Sequence, residues 1–92
     1  MGEINREVNL DFLYKVCGCR GVAMSQCLKV PEVRKRIIAM MARGEVVDAR
    51  AFVEILSAVY NEFLADRKSH KDFHFRNART VIKQVSAKIT AE

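Results

Sequence analysis

Apolar residues recur along this chain at helical rather than alternating spacing. From Ile4 to about Cys17 they fall at Ile4, Val8, Phe12, Leu13, Val16 and Cys17, which lays one face of a helix against a core. Gly18 and Gly21 then bracket a turn that holds Cys19 and Arg20. Val22 to Leu28 has the length of one or two helical turns. Pro31 stands where a helix tolerates proline best, at its first position, and Glu32 beside it complements the helix dipole. Val33, Ile37, Met40 and Met41 predict the buried stripe of this third helix, Arg34, Lys35, Arg36 and Arg43 its wet side, and Gly44 its stop.

The strongest periodic signal follows. Asp48 suits an N-cap, and Phe52, Ile55, Leu56, Val59, Tyr60, Phe63 and Leu64 form a stripe opposite Arg50, Glu54, Ser57 and Asn61. The polar stretch from Asp66 to Lys71 predicts fraying. A last helix is expected to begin near Asp72, with Phe75, Ala78, Ile82, Val85 and Ile89 inward, Val81 broadening the stripe, and Arg76, Arg79 and Lys83 as a basic row beside it. Only Glu45–Val47 suggests extended backbone. The pattern predicts an all-α fold: four or five helices packed as a compact bundle around a single core, in one domain over residues 1–92.

Composition narrows the class. With 92 residues, 50% of them hydrophobic and 29% charged, the chain can fill one modest core and is not a disordered segment. No apolar run approaches the roughly 18–20 residues that cross a bilayer. The start, Met1-Gly2-Glu3-Ile4-Asn5-Arg6, has neither a signal-peptide pattern nor the Ser or Thr of a myristoylation motif. The expected setting is cytoplasmic, without a membrane partner. Cys17, Cys19 and Cys27 are an odd count, which points to reduced thiols rather than a disulfide framework.

The net charge of +5 is unevenly placed. From Arg67 onward Arg67, Lys68, Lys71, Arg76, Arg79, Lys83 and Lys88 face only Asp72 and Glu92. Such a basic third favours an anionic partner, whether an acidic protein surface, a nucleic acid or a nucleotide phosphate.

Catalytic patterns are missing. The chain has no P-loop and no nucleophile elbow. Cys17 or Cys27 with His70 or His74 as base would need a meeting that spacing does not supply, and buried cysteine is common in helical cores. Cys17-x-Cys19 with Cys27 and the His70/His74 pair offers zinc-type ligands, but C-x-C departs from the usual knuckle spacing. No enzyme activity, metal site or cofactor is expected.

Two further patterns bear on function. Val22–Leu28, the pair Lys29–Val30 and Pro31–Arg43 fit helix-turn-helix proportions, with Arg34, Lys35, Arg36 and Arg43 as DNA-contacting residues. Lys29 stands in the turn where a small residue is favoured.

The run Phe75-Arg76-Asn77-Ala78-Arg79-Thr80-Val81 resembles the F-x-N-A-R-x-V signature in the small helical lid of AAA+ ATPases of the red-type Rubisco activase kind, and of a related sporulation ATPase. The order of elements from Val33 to Ala91 is similar too. The resemblance implies a helical lid in which Arg79 acts as the second sensor, reaching a nucleotide's terminal phosphates. Ile82 and Lys83 depart from the Arg-Asn usual there, residues 1–30 do not look like the strand preceding such a lid, and the nucleotide-binding subdomain is not in the chain. A lid-like relative of this kind is not expected to hydrolyse ATP itself.

The leading expectation is a non-catalytic interaction module that engages a partner protein through Arg76, Arg79 and Lys83. The alternatives are a DNA-binding helix-turn-helix regulator using residues 22–43 and a lid-like fragment or relative of an AAA+ ATPase that contacts nucleotide phosphate through Arg79.

Overall fold

A computed structural model describes residues 12–18 and 21–91, and every regular element among them is helical. Five α-helices follow one another: α1 (Phe12–Cys17), α2 (Val22–Leu28), α3 (Pro31–Ala42), α4 (Ala49–Ala65) and α5 (Phe75–Ala91). A short 3₁₀ helix, Arg67–His70, joins α4 to α5. The part of the first predicted helix before Phe12, together with Cys19, Arg20 and Glu92, lies outside the described residues.

Local chemistry sets most boundaries. Pro31 opens α3, since its missing N–H is one that a first turn leaves unpaired anyway. At the other end Gly44 takes φ +78°, its N–H donates to Met41 O at 3.0 Å, and the Glu45 N–H donates to Met40 O at 3.0 Å. These two bonds make a Schellman stop, which glycine permits because a side chain would strain that backbone. Asp48 caps α4 as expected, its Oδ1 accepting from the Ala51 N–H at 2.9 Å.

The helices share one core. Leu13 and Cys17 of α1, Met24 and Cys27 of α2, Val33 and Ile37 of α3, Phe52, Leu56 and Val59 of α4, and Ala78, Val81 and Val85 of α5 form a single buried cluster. No charged or polar residue is buried among those described. At the rim, Tyr14 and Ser25 share a hydrogen bond of 3.0 Å that ties α1 to α2.

Three expectations are corrected. Met41 does not join the stripe of α3: it is 40% exposed, while Met40 is half-buried. Consecutive helix positions point about 100° apart, so Met40 falls beside Val33 and Ile37 while Met41 falls toward the flank of their stripe. Leu64 likewise turns outward, at 42% exposure. The last helix starts at Phe75 rather than near Asp72, because the preceding backbone is held in turns by the Phe73 N–H donating to His70 O and the Phe75 N–H to Phe73 O. Its buried line is Ala78, Val81 and Val85, with Phe75, Ile82 and Ile89 half-buried. The link at Glu45–Val47 forms no strand; Val47 is buried there and Val46 exposed.

Candidate functional site: the cationic outer face of the last helix

The sequence of α5, FRNARTVIKQVSAKITA, contains no acidic residue. With Ala78, Val81 and Val85 buried, helical spacing turns Arg76, Thr80, Lys83 and Ala87 to the opposite side. Arg76, Arg79 and Lys83 are all exposed, and they run along about 10 Å of helix from Arg76 to Lys83. No carboxylate among the described residues pairs with any of the three.

Their position breaks a local rule. Arg76 sits in the first turn of α5, where no acid is present. The helix dipole disfavours a cation there by about 0.3–1 kcal/mol. Sequences carry such local conflicts mainly where function requires them.

A chain of aromatic rings holds this end of α5 in place. His70 lies flat on Phe63, with centroids 3.6 Å apart and planes 4° apart. Phe73 meets Phe63 edge-on at 4.9 Å and Phe75 at 4.7 Å, and Tyr60 meets Phe75 at 5.6 Å. Edge-to-face pairs of this kind contribute about 0.5–1.5 kcal/mol beyond their burial. Two cations are positioned by the same rings. The Arg67 guanidinium lies 5.2 Å from the Phe75 centroid, and Arg79 Nη2 donates to the Tyr60 hydroxyl at 3.3 Å.

The periodic pattern placed Phe63 and Phe75 on stripes but did not single out Phe73 or the stacked role of His70. Their signal was the aromatic spacing Phe73-x-Phe75 immediately after a histidine-bearing polar loop. His70 is therefore half-buried, whereas His74 is exposed.

The other predicted basic group is arranged differently. Arg36 Nη2 donates to both carboxylate oxygens of Glu62, at 2.8 and 2.9 Å. Arg43 Nε donates to Glu45 Oε2 at 2.7 Å, and its Nη2 to Oε1 at 3.2 Å. The hydrogen bond to Arg43 holds the Glu45 carboxyl below its usual value, and the same bond raises the Arg43 guanidinium further. Lys35 is exposed and Arg34 half-buried. The helical segments Val22–Leu28 and Pro31–Ala42 do flank Lys29 and Val30. Half of the proposed DNA-contacting set is nevertheless engaged with acids of the same chain.

Cys17 and Cys27 are buried thiols; Cys19 lies outside the described residues. No group of three or more His, Cys, Asp or Glu among the described residues is placed to hold a metal ion. Two of the clefts formed by the described residues lie away from the row. One, of about 350 Å³, lies between the α2–α3 junction and the α4–α5 link, where Lys29 and Lys71 are matched by Glu32 and Asp72. The other, of about 540 Å³, is lined by Lys15, Asp48, Arg50 and Lys88. Neither includes Arg76, Arg79 or Lys83.

Comparison with known proteins gives no match: no family model, no curated protein and no solved structure is similar to the chain at significance.

Proposed function

We propose that this protein is a non-catalytic interaction module whose working surface is the cationic row Arg76, Arg79 and Lys83, and that its partner is a protein with an acidic surface. The observation that carries this reading is the contrast in charge compensation. Arg36 and Arg43 have carboxylate partners in their own chain, and the α5 row has none among the described residues. A row of uncompensated cations on a helix already anchored by its opposite side gives electrostatic steering and orientation toward an anionic partner. A row exposed along a helix and outside both clefts suits a macromolecule better than a small ligand, which needs a concave site.

The test is affinity capture from the source cell with nuclease treatment, comparing the wild type with the double charge reversal Arg76→Glu/Arg79→Glu. Nuclease-resistant partners should fall at least about tenfold for the variant, since like charges set against each other at an interface cost several kcal/mol, while its circular dichroism stays helical. Unchanged capture of every partner defeats the reading.

A second reading, a lid-like relative of an AAA+ ATPase, draws support from one feature. The long helix α4, a polar link and a helix opening on Phe75-Arg76-Asn77-Ala78-Arg79 follow in the order the resemblance implies, with Arg79 exposed. It requires a nucleotide-dependent complex with a larger ATPase subunit, lost on Arg79→Ala.

A further inference from the structure

The cationic row borders a seam whose floor is apolar. Tyr60 and Leu64 are one helical turn apart on α4, and Arg67 opens the 3₁₀ helix that follows. Tyr60 touches Phe75 and receives the Arg79 hydrogen bond, so this side of α4 faces α5. Arg67 closes over Phe75 from the opposite end. Leu64, one helical turn beyond Tyr60, is left 42% exposed. The acids of α4 lie elsewhere: Glu62 reaches Arg36 of α3, and Glu54 falls on a different face by spacing.

We infer that the seam between α4 and α5 receives an acidic amphipathic helix of a partner protein, its apolar side on Leu64, Tyr60 and Phe75 and its carboxylates against Arg67, Arg79 and Arg76. This deepens the proposed function and rests on it. Charge complementarity selects an acidic occupant, because the basic groups around the seam pair with no carboxylate among the described residues. Leu64 and the half-buried rings select an occupant with an apolar stripe, which recognition of a helix in a groove uses at helical spacing. Tyrosine and arginine at a partly desolvated centre are the residue types that dominate binding energy at protein interfaces. The ring arrangement disfavours the nucleic-acid alternative. Phe75 is met by Arg67, Tyr60 and Phe73 together, which leaves it a poor stacking platform for a base.

The experiment is a fluorescence anisotropy titration of the full chain with three labelled probes. The first is a designed peptide of about 20 residues, with leucine at helical spacing and glutamate flanking it. The second has the same composition with leucine dispersed around all faces, and the third is oligothymidylate. The patterned peptide should bind at least about tenfold more tightly than either control, and Leu64→Ser should weaken it at least about tenfold by removing an apolar contact. Leu64→Met, which keeps an apolar side chain at this exposed position, should retain binding. Equal binding of the patterned and dispersed peptides, indifference to Leu64→Ser, or no binding of the patterned peptide overturns the seam. Preference for oligothymidylate overturns it in favour of nucleic acid. The two proposals fail separately: loss of peptide binding in Arg76→Glu/Lys83→Glu with no effect of Leu64→Ser leaves the cationic face standing and removes the seam.

Discussion

Helices α3 and α5 begin from similar ingredients and end in different electrostatic states. Each has an apolar side in the same core and basic residues on the outside. On α3, Arg36 is held by Glu62 from a helix that begins beyond the next link, and Arg43, at the helix end, is held by Glu45 in the turn that stops it. On α5 no acid is present in the helix, and among the described residues Arg79 of its row hydrogen-bonds the neutral hydroxyl of Tyr60 rather than a carboxylate. The difference shows that basic amphipathic helices are not interchangeable evidence for binding. What matters is whether the chain compensates its own charge.

The inner faces should behave alike, and this is where the largest effect lies. Ile37 of α3 is fully buried. Ile37→Ala should destabilise the fold by about 2–5 kcal/mol in chemical denaturation, through lost transfer energy and the cavity left behind. Met41→Ala, on the exposed side of the same helix, should cost well under that. Equal costs would erase the distinction between the stripe and its outer side.

The outer faces should diverge. Arg76→Glu replaces a cation in the first turn of α5 with an anion, which the helix dipole favours by about 0.3–1 kcal/mol. The variant should therefore be slightly more stable while binding its partner less well. A loss of stability would mean that Arg76 has a structural role, and would blunt the contrast with α3.

The smallest effect tests compensation on α3 itself. Glu45 should titrate below the usual glutamate value of 4.5, because Arg43 hydrogen-bonds its ionised form. A folded value below the unfolded one adds stability above the unfolded value, and that contribution disappears as pH falls through the folded value. Both side chains are exposed, so the stability change is slight and the shift itself is the better readout. Side-chain NMR should show the shift vanish in Arg43→Gln.

Much of the fold was legible from particular residues. Pro31, Gly44 and Asp48 act on their own first or last turn, so each could be read without knowing what the helix packs against. The stripe of α4 was legible for the same reason, except at its edges. Leu64 and Met41 belong to the apolar set by type, yet each lies at a flank where docking decides exposure. The candidate row Arg76, Arg79 and Lys83 was also legible, since helical spacing alone sets it away from Val81 and Val85. The aromatic chain from His70 through Phe63, Phe73 and Phe75 to Tyr60 was not, because it depends on how the link folds back between two helices.

From the sequence by itself came the helices, most of their inward faces and the fact that α5 has no acid. Those follow from interactions between residues within about four positions, whose geometry the helical repeat already specifies. The tertiary structure decided which cations keep their charge uncompensated: the Arg36–Glu62 pair joins residues 26 positions apart and forms only once α3 docks on α4. Hydrogen-bonded ion pairs and ring contacts between helices need their groups within a few ångströms, so the packing that brings two faces together also selects which charged residues remain available to a partner.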